Sequence, residues 1–162
     1  MGYALRGTVA VACLLLAGAA AFAADKPDAR ASATTQDCVK SAKDLEVGAE
    51  RCIGMVSNPC LDNDKTRSTA DMNACVAREQ AVWDDILNET YRRLREKLDA
   101  GQQEKLRDMQ RAWIASRDKT CTFYWDYFQD TMASPMSASC VNKETARRAL
   151  FLLGFLSDAE GK

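Results

Sequence analysis

The chain has 162 residues, 47% of them hydrophobic and 28% charged, with a formal net charge of -1, a size and balance that suit one domain. That balance excludes a nucleic-acid footprint, which needs a strong basic excess or a clustered basic face. Histidine is absent, which removes the Ser-His-Asp and Cys-His triads, haem attachment through C-x-x-C-H and any histidine-bearing zinc site.

Residues 1–23 carry one positive charge, Arg6, and no negative one. Thr8 to Phe22 is apolar, and Ala21-Phe22-Ala23 closes it with an A-x-A pattern before polarity returns at Asp25-Lys26-Pro27-Asp28. This is the layout of a secretory signal peptide cleaved after Ala23. Its apolar core is short for a membrane span of about 20 residues, so no stable membrane insertion is expected after cleavage. The expected location is the bacterial periplasm or the medium. Cleavage removes Arg6 and Cys13, leaving a net charge of -2 from 21 basic and 23 acidic residues. Six cysteines remain: Cys38, Cys52, Cys60, Cys75, Cys121 and Cys140. An even count in a small exported chain reads as three disulfides. No C-x-x-C pair occurs, so no metal or other cofactor is expected, and no histidine is present to activate a catalytic thiol.

Residues 24–36 lack large apolar side chains and are expected to form a flexible tether. Residues 37–69 form a cysteine-rich lead-in. Val39, Ala42, Leu45, Ala49, Cys52 and Ile53 give 37–56 a helical spacing that Gly48 weakens, and the turn formers of 57–68 read as a loop. A helical domain over 70–158 follows. Ser68 or Thr69 caps its first helix, with Asp71 in the first turn. Val76, Gln80, Trp83, Leu87, Tyr91, Leu94 and Leu98 form one stripe, with Glu79, Asp85, Arg92 and Glu96 off it. Ala100-Gly101 is expected to stop this helix, with glycine as its C-cap.

A second helix is expected from about Gln102 to Phe128, striped by Leu106, Met109, Trp113, Arg117 or Ser116, Cys121, Tyr124 and Phe128. The gap between the two is so short that they fold back as an antiparallel hairpin. Residues 129–139 are expected to be a loop, and Asn142 to Ser157 a third helix closing the core with Ala146, Ala149, Leu150, Leu153 and Leu156. No segment alternates as a strand does. The fold class is therefore all-α: a disulfide-stapled hairpin, a third packing helix and a cysteine-rich helical lead-in. The expected core is Trp83, Leu87, Tyr91, Leu94, Leu106, Met109, Trp113, Leu150 and Leu153.

Six cysteines allow 15 pairings. The 129–139 loop can bring Cys121 to Cys140, and Cys60 and Cys75 flank the loop before the first long helix. Cys38 and Cys52 then pair by elimination. On one unbroken helix their 14-residue separation spans about 21 Å, far beyond the roughly 4.4–6.8 Å of a disulfide. This pair therefore demands a break near Gly48; with an unbroken helix the N-terminal cysteines must pair elsewhere.

The first long helix carries D-x-x-L-N-x-x-Y from Asp84 to Tyr91. The second carries L-R-x-x-Q-R-A-W-I from Leu106 to Ile114 and R-D-x-x-C from Arg117 to Cys121, and C-x-x-x-x-T-x-x-R runs from Cys140 to Arg148. In this order, across about residues 70–155, the motifs resemble the lysozyme inhibitor LprI N-terminal-like family. The sequence departs from it at Thr131-Met132-Ala133-Ser134-Pro135, where the family is usually glycine-rich. The resemblance implies a small exported helical domain that is not an enzyme, in a family whose name-giving member is associated with lysozyme inhibition.

Asp84, Asn88 and Tyr91 share a face, and Gln110, Arg111, Arg117 and Asp118 lie on the facing helix. Polar groups near a seam must satisfy each other, so a network joining Asp84 or Asn88 to Arg111 or Arg117 is expected to fix the hairpin register. Two functions remain. One is a protein-binding module whose partner is lysozyme, touched through the tip of the 129–139 loop at Asp130, Ser134, Pro135 and Met136. The other is a structural or stress-related periplasmic protein holding a different envelope component. Adjacent Asp84 and Asp85 point about 100° apart on a helix, which makes them a poor acid/base pair.

Overall fold

The computed structural model describes residues 27–42, 44–45 and 48–161; the expected signal peptide lies outside them. All regular segments among the described residues are helical, as the sequence pattern implies. They are α1 (Ala29–Ser41), a 3-10 turn (Ala49–Cys52), α2 (Ser57–Leu61), α3 (Thr69–Lys97), α4 (Ala100–Phe128) and α5 (Ala133–Glu160).

Helix α1 replaces most of the expected tether. The Asp28 carboxylate caps it by accepting from the Arg30 and Ala31 amides at 2.8 and 2.9 Å. Alanine is the best helix former, and the small Ala31 and Thr35 are buried where α1 lies on α3. The helix ends at Ser41 with Ala42 extended, and Ala49–Cys52 follows as the 3-10 turn. Cys38 and Cys52 come to a Cα–Cα distance of 5.8 Å and form a disulfide; the break between them falls at Ala42, earlier than the expected position near Gly48. The other two expected disulfides, Cys60–Cys75 and Cys121–Cys140, are also present.

Residues 57–61, expected as loop, form α2. Pro59 falls in its first turn, where no intrahelical N–H is needed. Ser68 then caps α3 in a capping box with Asp71. Gly101 does not end this helix. Asp99 caps α4 in a second capping box with Gln102, so the turn is Leu98–Asp99 and Gly101 sits inside the first turn of α4. After Phe128, Gln129 adopts the left-handed conformation with φ 51°, and α5 begins at Ala133. The expected 129–139 loop is thus only 129–132, and Pro135 stands in the first turn of α5.

Pairs along the helices fix their directions. Asn73 meets Ser134, Gln80 meets Thr145 and Arg93 meets Glu160, so α3 and α5 run parallel. Cys121 meets Cys140, Arg117 meets Thr145 and Gln110 meets Arg148, so α4 runs antiparallel to α5. The hairpin therefore has the expected opposed directions, but its two helices pack chiefly on α5, which lies along both. Trp83, Leu87, Leu94, Leu106, Leu150, Leu152 and Leu156 form the buried centre, and Ala49 and Cys52 close it from the lead-in. Four expected core residues differ, Tyr91 and Trp113 being only half-buried against the core. Leu153 is half-buried while Leu152 is fully enclosed, and Met109 is exposed.

Candidate functional site

Glu79 was expected off the apolar stripe, yet it is completely buried. Its position four residues before Trp83 puts it on the inward face of α3. Six groups donate to its carboxylate: the amides of Gly54 (2.7 Å), Val56 (3.0 Å) and Ser57 (2.8 Å), the Ser57 hydroxyl (2.9 Å), Trp83 Nε1 (3.1 Å) and Asn142 Nδ2 (3.1 Å). Burial raises the Glu79 pKa, but the donors, Ser57 and Gly54 amides foremost, outweigh it and hold the carboxyl below its ordinary value. The knot ties the lead-in to α3 and α5. Gly54 is needed there: its φ of 95° is left-handed, and a Cβ would run into Asn58.

Residues of the second, third and fourth motifs converge on the α4–α5 seam. Arg148 is 9% exposed. Its Nε donates to Gln110 Oε1 at 2.8 Å, and its guanidinium lies 5.5 Å from the Trp113 ring centre and 5.1 Å from that of Phe151. Burial alone holds its pKa below the usual arginine value. Its Nη2 has no hydrogen-bond partner among the described residues, and the two ring faces are what the cation rests on. Arg117 covers the Trp113 ring at 5.0 Å, donates from Nη1 to Thr145 Oγ1 at 3.2 Å and pairs with Asp118 at 2.9 Å. Gln80 Nε2 donates to the same Thr145 oxygen at 3.2 Å, joining α3 to the seam.

This differs from the expected network. Gln110, Arg117 and Asp118 do take part in polar contacts at the seam, but their partners are Thr145 and Arg148 of α5 or each other. No hydrogen bond joins Asp84 or Asn88 to Arg111 or Arg117 among the described residues. Asn88 and Arg111 are exposed, Asp84 is half-buried, and Tyr91 lies under the Arg95 guanidinium at 5.8 Å. The intervening α5 takes the contacts that were assigned to α3.

The expected loop tip is largely inside the fold. Pro135 is buried, Met136 is half-buried, and Ser134 accepts from Asn73 Nδ2 at 2.7 Å, tying the starts of α3 and α5. Only Asp130 of the four is exposed, and its Oδ1 accepts from the Met132 amide at 2.7 Å. What this end of the molecule presents is aromatic. Phe123, Trp125 and Tyr127 on the last turns of α4 are exposed, with Tyr124 and Phe128 half-buried beside them.

Among the described residues no group of three or more cysteine, aspartate or glutamate side chains could hold a metal ion, and no helix is long and apolar enough to cross a membrane. No curated protein matches the chain, and no solved structure does. A family model, lysozyme inhibitor LprI, matches residues 60–152, more than half of the chain. The match starts at Cys60, ten residues before the resemblance read from the motifs, and so takes in the Cys60–Cys75 disulfide. It spans the Glu79 side chain and the whole Gln110–Trp113–Arg117–Thr145–Arg148 seam, and the chain belongs to the lysozyme inhibitor LprI family.

Proposed function

We propose that this protein is exported and inhibits a lysozyme by binding it, performing no bond chemistry of its own. The observation that carries the reading is the engagement of the motif residues with one another. Gln110, Trp113, Arg117, Thr145 and Arg148 brace α4 against α5, and the Cys121–Cys140 disulfide locks the same pair of helices. Side chains spent on bracing give a rigid body, which loses little freedom on association. Export is supported by the A-x-A segment at Ala21 to Ala23 and by three disulfides, which persist in oxidising compartments.

Turnover of a basic lysozyme on a cell-wall suspension, measured with excess purified mature protein, tests the function. Loss of turnover is expected, and undiminished turnover refutes it. N-terminal sequencing of protein from the periplasmic fraction tests export, with Ala24 expected as the first residue.

A further inference from the structure

We propose that the aromatic end of α4 is the docking surface, and that its partner is a cationic protein face presenting arginine and lysine. This rests on the inhibitor reading above and names the contact through which it works.

The exposure is the first argument. Phe123, Trp125 and Tyr127 are 61%, 50% and 71% exposed, although rings of this size are ordinarily buried for the most part. They form one cluster with their neighbours: Phe123 meets Tyr127 at 6.2 Å, Tyr127 meets Phe128 edge-on at 5.1 Å, and Phe128 stacks on Tyr124 at 5.9 Å. Exposed Met132 continues it into the connection. The other exposed ring pair, Phe151 and Phe155 on α5, differs, because Phe151 already carries the Arg148 guanidinium.

Charge names the partner. From Thr120 to Asn142 there is no lysine or arginine, and the only charged residues are Asp126 and Asp130. The last turn of α4 holds no basic residue, so no cation of its own offsets the negative carbonyl end of the helix. Ring faces are negative as well and attract guanidinium and ammonium groups. Carboxylates, a helix carboxyl end and electron-rich rings on one surface complement a basic face. The Cys121–Cys140 disulfide at the root of the cluster holds it in place, which suits aromatic anchors of a protein interface.

The test uses the mature oxidised protein and two variants, F123A/W125A/Y127A and D126N/D130N. Lysozyme inhibition and equilibrium Kd are measured at low and high salt, with melting temperature as the folding control. The triple variant is expected to melt as the wild type does and to bind on the order of 100-fold more weakly. The Asp126→Asn, Asp130→Asn protein is expected to lose most of the salt dependence of binding. Should the triple variant unfold, W125A and Y127A singly are expected to weaken binding in the same sense. A triple variant that inhibits like the wild type overturns this surface while leaving the inhibitor reading intact. A wild type that leaves lysozyme untouched overturns that reading and the partner named here with it. Sedimentation that finds wild-type dimers and monomeric triple variant assigns the cluster to a second copy of the chain and also overturns the proposal.

Discussion

Replacing Glu79 by glutamine keeps the shape of the side chain and removes one acceptor oxygen. Oε1 accepts from the Gly54 amide, Trp83 Nε1 and Asn142 Nδ2, and Oε2 accepts from the Val56 and Ser57 amides and the Ser57 hydroxyl. Whichever oxygen becomes an amide nitrogen, one donor of its set can adapt. The Ser57 hydroxyl can turn to accept, and Asn142 has a buried, unpaired Oδ1 that can take its place. Two N–H groups are orphaned in either case. At about 1–3 kcal/mol each, Glu79→Gln destabilises the fold by about 2–6 kcal/mol, a large share of the roughly 5–15 kcal/mol of a typical domain. With an m-value of about 2 kcal/mol/M, the urea midpoint falls by about 1–3 M in protein with its disulfides intact. The pH dependence has a definite sign. The folded carboxyl titrates below the ordinary glutamate value of 4.5, so its stabilisation is fully present at pH 7. It declines once the pH drops below about 4.5 and is gone below the folded pKa. The glutamine variant lacks this part of the acid slope. A variant within about 0.5 kcal/mol of the wild type, or one with an unchanged acid slope, refutes the role given to the knot.

Three further perturbations have defined outcomes. Cys121→Ser with Cys140→Ser removes a cross-link over 19 residues, which costs about 3 kcal/mol in the chain-entropy model; amide exchange is expected to accelerate most in 122–132, and uniform acceleration along the chain contradicts the local bracing. Gly54→Ala, forced to a left-handed φ and against Asn58, is expected to lose more than about 1 kcal/mol in thermal unfolding, and a neutral result contradicts the tight approach to Glu79. Gln110→Ala leaves the buried Arg148 Nε without its acceptor and is expected to cost about 1–3 kcal/mol by urea titration.

Much of the fold is readable from local chemistry. The 3–4 spacing of Trp83, Leu87 and Leu94 and the Ser68–Asp71 capping box define α3 without tertiary information. The geometry of a disulfide makes the Cys38–Cys52 pair conditional on a break in the helix between them, which the structure contains. What the sequence conceals depends on packing. Ala31 and Thr35 are too small to advertise a buried helix face, so α1 reads as a tether until α3 lies beneath it. Pro135 signals a loop by composition, although the first turn of a helix accepts it equally well. Glu79 lies on the inward face by period alone, and its charge argued it outward; the donors that neutralise that cost come from residues 54–57 and 142, far along the chain. The α4 stripe reads inward through Tyr124 and Phe128, yet aromatics at 123, 124, 125, 127 and 128 cover an arc of about 200° at about 100° per residue, wider than one packed face, so some must face out. That surplus of rings was the legible trace of the surface assigned here.

Titration of lysozyme turnover with the oxidised protein, set beside the same chain reduced and alkylated, bears most directly on the claim that a disulfide-braced scaffold inhibits by contact. Saturable loss of turnover approaching one inhibitor per enzyme is expected from the oxidised form, and none from the alkylated form, in which Cys121 and Cys140 no longer hold the end of α4 to α5. Unchanged turnover with the oxidised protein in large excess, or equal inhibition by both forms, contradicts the claim.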